Sequence, residues 1–185
     1  MNKEIKYGLF LGRFQPIHNG HASIIEQIKL DGLEPIILIG SAQEFGTYKN
    51  KYHVLDRKEM IWLIYPKIKI ICLHDNSSWE EWFSDMDKSL KLGLDENWKE
   101  KSILYTHNKE EDRQDFEYKG IKFKNDFYSQ CFVYEGLKTK NLKTHFSDIY
   151  IRATQVRNNL EEHKHHLHPK VYEFIKTKEI ENRNK

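Results

Sequence analysis

Cysteine is scarce in this chain, with two in 185 residues, Cys72 and Cys131. Each lies in an apolar run, IICLH and QCFVY, that reads as a buried strand, so both are expected as small core residues and neither as half of a disulfide or a metal pair. Long apolar runs are missing too. No window approaches the roughly 20 apolar residues needed to cross a bilayer, and MNKEIKYGLFLGRF has too short an apolar stretch, and no small-residue cleavage site, for a secretory signal. The expectation is a cytoplasmic protein with no membrane partner. An excess of one charge is also lacking: 30 Lys plus Arg stand against 28 Asp plus Glu. No global field suggests a nucleic-acid partner, and any anion binding must be local. At 38% hydrophobic and 31% charged residues the composition is that of a folded protein, and residues 1–185 read as one domain with its own core. No internal repeat or low-complexity tract is present, and the oligomeric state, a homo-oligomer included, stays open.

What is there is an alternation. Lys6 to Leu11 is a short apolar run ending at Gly12, a buried strand meeting a turn. Ala22 to Leu30 places Ile24, Ile25 and Ile28 at helical spacing. Pro35 to Ile39 is a second strand, Leu55 to Ile64 a helix with Met60, Ile61 and Ile64 on one face, and Ile68 to Leu73 a third strand. An aromatic helix follows from about Ser78 to Leu92. Further strands are expected at Ser102 to Tyr105 and Cys131 to Tyr134, with a polar, ordered excursion containing a small hairpin from Asn108 to Ser129. Helices at about Thr154 to His163 and Pro169 to Lys178 close the chain. Strand–helix alternation favours a parallel sheet, because parallel strands need crossovers and helices supply them. The fold class is therefore α/β, a Rossmann-like open parallel sheet of about five strands with helices on both faces.

Ligands of such sheets bind beyond the carboxyl ends of the strands. Those positions hold GRFQPIHNGH, GSAQ, HDNSSW and THNKEE, each polar where its strand is not. In GRFQPIHNGH, Gly12 is expected to allow a tight turn, Pro16 to keep Gln15 extended, and Gly20 to remove a side chain between the histidines. His18 and His21 are three apart at the start of a helix, so both imidazoles can face the space before its first turn, where backbone N–H groups and the helix dipole favour phosphate. Arg13 adds donors. A turn histidine beside a helix cap is the alternative reading of each ring alone; the whole pattern in register after a strand points to polyphosphate binding. No third ligand stands at persuasive spacing for a metal.

GRFQPIHNGH resembles the HxGH signature of the nucleotidylyltransferase superfamily, and its GRFQP form is similar to the archaeal-type nicotinamide mononucleotide adenylyltransferases. Further segments follow in the same order, over about Tyr7 to Leu160. GSAQ at Gly40 to Gln43 resembles the segment after that family's second strand, and DRKEMI at Asp56 to Ile61 its ER..MI helix. HDNSSWEEWF at His74 to Phe83 is similar to the stretch that places an Asp and a Trp near nicotinamide. IRATQVR at Ile151 to Arg157 resembles the motif ISSTxxR, with Arg152 and Ala153 in place of the two serines. THNKEE matches only loosely, which leaves substrate contacts by Lys109 open.

The resemblance implies transfer of AMP from ATP to nicotinamide mononucleotide, with NAD and pyrophosphate as products and Mg²⁺ held mainly through the ATP phosphates. It assigns His18, His21, Arg13 and Arg157 to catalysis at the phosphates. Gly12, Phe14, Gly20, Thr154 and Arg152 are assigned to ATP, with Thr154 expected to cap its helix. Gln15, Gln43, Asp75 and Trp82 go to the acceptor. Trp82, or Trp79 in its place, either stacks on nicotinamide or forms the core face of its helix, and Asp75 either meets the carboxamide or caps the next helix. Acceptors that would keep the same chemistry are nicotinic acid mononucleotide, phosphopantetheine, flavin mononucleotide and glycerol phosphate; a nucleotide-sensing module without turnover is the non-enzymatic alternative. The run HKHHLHPK, His163 to Lys170, fits a solvated turn between helices better than a metal site, and the lysines of KTKNLKTH a solvated loop.

Overall fold

The computed structural model describes residues 4–108, 112–142 and 151–183. Five parallel strands form the main sheet: β1 (Tyr7–Gly12), β2 (Glu34–Ile39), β3 (Lys69–Cys72), β4 (Ser102–Thr106) and β7 (Lys138–Asn141). Their spatial order is β3-β2-β1-β4-β7. Register runs Leu9 to Ile36 and Leu104, Ile37 to Ile70, and Leu104 to Thr139. The order reverses between β1 and β4, and in open α/β sheets the crevice at such a reversal is where ligands bind.

Alternation along each strand feeds two cores. Phe10, Ile37 and Ile39 point to the face covered by α1 (Asn19–Leu30), α2 (Val54–Trp62) and α7 (Pro169–Arg183), where they meet Ile25, Ile28, Ile61, Val171 and Ile175. Leu9, Ile36, Leu38 and Leu104 point to the other face, beneath α3 (Trp79–Gly93) and α4 (Ser129–Tyr134), against Phe83, Met86, Leu90 and Phe132. Burial on both faces is why these strands read as continuous apolar runs. Gly8 lets α1 approach β1, since a Cβ there would lie 2.3 Å from Ile28. The aromatic helix α3 starts where its cap permits: the Ser78 hydroxyl accepts from the Glu81 amide at 3.2 Å, and Glu80 and Glu81 face the positive end of its dipole.

Three expectations are corrected. The fifth strand is Lys138–Asn141, not Cys131 to Tyr134, which is helix α4. Its apolar run covers only part of the helix surface, with Cys131 and Phe132 buried while Val133 and Tyr134 are each 47% exposed. A short apolar run does not by itself distinguish strand from helix, and the true strand KTKN lies at the sheet edge, where solvent and lysines hide any apolar signal. Cys131 is therefore buried on a helix, and both cysteines are free thiols. The helix expected from Thr154 to His163 is interrupted: α5 (Ala153–Asn158) ends at Asn159, whose side chain accepts from the Glu162 amide and starts α6 (Leu160–His163). A 3₁₀ turn at 164–166 then leads to α7, which opens on Pro169.

The polar excursion does contain a hairpin, β5 (Gln114–Tyr118) with β6 (Ile121–Asp126), turned at Lys119 and Gly120. Phe116 and Phe123 stack across it at 4.7 Å, and Phe116 packs on Tyr128. Lys109, and the part of KTKNLKTH from residue 143 on, lie outside the described residues. Among the described residues no helix is long and apolar enough to cross a membrane.

Candidate active site

A cavity of about 890 Å³ opens over the carboxyl ends of β1 and β4. Arg13, His18, His21, Arg152, Thr154 and Arg157 line it from the β1–α1 turn and α5, while Asp75, Trp79, Trp82, Tyr128 and Phe132 line it from the α3 side.

The turn after β1 is shaped by Phe14, not by Gly12. Phe14 adopts φ 52°, in the left-handed region, and folds its ring beneath Gly12, where a Cβ would come within 3.0 Å of the ring edge. The glycine is needed for that contact. Phe14 itself is buried and backs the His21 ring at 4.7 Å. His18 is the extended N-cap residue of α1, and its backbone N–H donates to Nδ1 of His21 at 3.3 Å. An Nδ1 that accepts in a neutral ring leaves the proton on Nε2, which makes that nitrogen a donor. The two imidazoles stack at 3.7 Å with 27° between their planes. His18, Gly20, His21 and Ser23 all line the cavity, so the amino end of α1 opens onto it.

Arg157 joins three segments. Its Nη1 donates to the Gln15 carbonyl at 2.7 Å, its Nε to the Tyr48 carbonyl at 3.0 Å and its Nη2 to the Thr154 hydroxyl at 3.1 Å. Burial, and then the neighbouring Arg13 charge, lower its pKa from the ordinary guanidinium value; the group stays charged. Thr154 does not cap α5. The N-cap is Arg152, whose amide is held by the Gln155 side chain at 2.9 Å, and Thr154 lies inside the first turn, orienting Arg157. With only six residues, α5 brings side chains to the site rather than a dipole.

Both glutamines expected at the acceptor have other partners. The Gln15 amide clamps the Tyr52 backbone, donating to its carbonyl at 3.0 Å and accepting from its N–H at 2.8 Å. Gln43 makes the same two-point bond to Asp75, accepting from its N–H at 3.0 Å. Gln15 still borders the cavity; Gln43 does not, and reaches it only through Asp75. Trp82 is a core residue, buried against Phe83 and Phe132, although one edge borders the cavity. Trp79 is less buried and packs on Tyr128 at 5.2 Å, closing that end of the cavity.

Sequence reasoning gave no role to Arg57, Tyr48 or Tyr128. Arg57 is fully buried on α2, with its guanidinium among carbonyl groups of the loops after β1 and β2. Its position three and four residues before Met60 and Ile61 puts it on their apolar face, and that was the available signal. Among the described residues no group of three or more His, Cys, Asp or Glu side chains is placed to hold a metal ion.

The family model described as cytidylyltransferase-like matches residues 9–183. The chain is 49% identical to the nicotinamide-nucleotide adenylyltransferase of Thermococcus kodakarensis over 57 residues, which are 31% of this chain and 30% of that protein. To the enzyme of the same name from Halorubrum lacusprofundi it is 28% identical over 97 residues, 49% of this chain and 55% of that one. The matched stretches thus span about a third to a half of these relatives' length. Among solved structures, the bifunctional NMN adenylyltransferase/ADP ribose pyrophosphatase of Francisella tularensis, complexed with AMP and a manganese ion, superposes with a TM-score of 0.60 at 20% identity, over 83% of this chain and 41% of that one. The Plasmodium falciparum nicotinic acid mononucleotide adenylyltransferase complexed with NaAD gives 0.54 at 14% identity, over 94% and 96%. At such identities these structures speak for the fold.

Proposed function

The chain belongs to the cytidylyltransferase-like family, and we propose that it transfers AMP from ATP to nicotinamide mononucleotide, forming NAD and pyrophosphate. The observation that carries this reading is the convergence of the stacked His18–His21 pair, Arg13 and Arg157 on one wall of a cavity whose other wall is Asp75, Trp79 and Trp82. One wall suits polyphosphate and the other suits a flat, amide-bearing ring.

In this reaction an oxygen of the acceptor phosphate attacks the α-phosphorus of ATP. The new P–O bond forms as the bond to the bridging oxygen breaks, and the electron pair leaves on pyrophosphate. The nucleophile is already ionised at neutral pH, so no general base is required. What the chain contributes is positioning of two mutually repelling anions and donors for the charge that builds on the equatorial and bridging oxygens. Nε2–H of His21, the His18 ring and the α1 amino end serve the α-phosphate region; Arg13, Arg152 and Arg157 serve the β and γ phosphates. Asp75, held by Gln43, accepts from the nicotinamide amide, and Trp79, beside Tyr128, stacks on the ring. Mg²⁺ enters with ATP as part of the substrate. Among the described residues the cationic wall presents no carboxylate, Asp75 and Asp112 lining the cavity elsewhere, so phosphate oxygens and water are taken as its main ligands.

The test is pyrophosphate release with ATP and Mg²⁺ across nicotinamide mononucleotide, nicotinic acid mononucleotide, phosphopantetheine and flavin mononucleotide. Preference for nicotinamide mononucleotide supports the reading, and preference for another acceptor would reassign the α3 wall. A cytoplasmic location, where ATP is supplied, is part of the same proposal.

A further inference from the structure

Arg57 has no exposed surface, yet no carboxylate forms an ion pair with it among the described residues. Buried guanidinium groups ordinarily come with an anion, because desolvating an unpaired charge is costly. Here backbone carbonyls take that place. Nη1 donates to Arg13 at 3.2 Å and to Gly40 at 3.0 Å; Nη2 donates to Ser41 at 3.0 Å, with Ala42 at 3.4 Å and Glu44 at 3.5 Å. Those carbonyls belong to the two loops that leave β1 and β2 at the cavity.

The same two loops hold a pair of strained residues. Phe14 has φ 52° and Ser41 has φ 47°, a region in which a residue with a Cβ is disfavoured. The Arg13 carbonyl belongs to the peptide entering Phe14, while the Gly40 and Ser41 carbonyls flank Ser41. Both loops border the cavity through Arg13, Phe14, Gly40 and Ser41. The Gly40 amide also donates to the Gly12 carbonyl at 3.0 Å, so the loops are tied to each other as well as to Arg57.

We infer that Arg57 is a positioning residue for the proposed reaction: its planar fork clamps the left-handed turns at Phe14 and Ser41 from beneath and thereby sets Arg13 toward the phosphates of ATP. The inference rests on the reading given under Proposed function. Lysine keeps the charge but not the fork, and a point donor does not span carbonyls of two loops in fixed directions.

The test is a double-mutant cycle of Arg57→Lys with Ser41→Gly. Glycine adopts φ above zero without strain, so it removes the need for the clamp at that position. Arg57→Lys is expected to lower kcat/KM for ATP by about tenfold in the wild-type background and by less than about threefold in the Ser41→Gly background, the non-additivity of groups in contact. The KM for ATP should rise while the KM for the acceptor stays within about twofold. A purely structural role lowers the folded fraction and the apparent kcat but leaves both KM values unchanged. Equal losses in the two backgrounds, or unchanged KM values, would overturn the inference. If Arg57→Lys alone does not fold, recovery of folded protein in the double variant reads the same coupling, and an unfolded double variant counts against it. Wild-type turnover reads the reaction separately. Should the wild type release no pyrophosphate, that reading falls, and the same cycle is run on the affinity for Mg-ATP by calorimetry, where additive losses overturn the role of Arg57.

Discussion

His18 and His21 are joined twice, by the His18 N–H donating to Nδ1 of His21 at 3.3 Å and by ring stacking at 3.7 Å. The first bond completes the helix cap and selects the His21 tautomer; the second keeps both rings on the cavity side of α1. Their orientation is thus set before any ligand arrives, which is what makes a donor effective against charge that appears only in the transition state.

Replacing either ring by alanine is expected to cut kcat by more than about a hundredfold. The far-ultraviolet spectrum should stay close to native, since losing the cap bond costs only about 1 kcal/mol and Ile24, Ile25 and Ile28 still bury α1. Steady-state kinetics with circular dichroism checks this, and near-wild-type turnover by either variant would refute the assigned site.

In the proposed reaction Arg157 acts through direction as much as charge, because its three bonds point to three different segments. Arg157→Lys should raise the KM for ATP by about tenfold or more. Thr154→Ala removes one of those bonds and should have a smaller effect, within about tenfold. Initial rates over a range of ATP concentrations distinguish them.

The two tryptophans should separate cleanly. Trp82→Ala opens a hole in the α3 core and is expected to cost about 3–5 kcal/mol, seen as a large fall in melting temperature. Trp79→Ala, at the cavity margin, should leave melting nearer wild type and raise the KM for the acceptor. Gln43→Ala lies off the cavity and acts by releasing Asp75. It too should raise the acceptor KM, with the KM for ATP little changed.

Asp31 at the carboxyl end of α1 accepts from Lys140 on β7 and Tyr105 on β4. These bonds, Lys140 first, hold its pKa below the ordinary carboxylate value. The folded state therefore binds this proton less readily than the unfolded state does. The contribution to stability is present above the unfolded pKa, about 4, and is lost as pH falls through the lowered folded value. Melting temperatures of wild type and Asp31→Asn should differ at pH 7 and converge toward pH 3.

Much of this was legible in the residues. β1 and β2 stand out because both faces are buried, and the two histidines and Arg157 stand out because their motifs keep order along the chain. Strand β7 was hidden because KTKN is a polar edge strand with no buried residue. Helix α4 was mistaken for a strand because QCFVY is too short for its period to show. Gln15 borders the cavity and Gln43 reaches it only through Asp75; their amides bond to backbone 37 and 32 residues away, which local pattern cannot reveal. Arg57 was missed for a different reason: a charge on an apolar helix face reads as an exposed residue until the carbonyls around it are seen.

The most direct measurement is pyrophosphate release by the wild-type chain with ATP, Mg²⁺ and nicotinamide mononucleotide, with the nucleotide product identified by chromatography. NAD and pyrophosphate appearing in equal amounts, faster than with any of the other acceptors, is the predicted result. Tight ATP binding with no pyrophosphate released from any acceptor would contradict it, and would make the chain a nucleotide-binding module in which Arg152 and Ala153 have ended turnover.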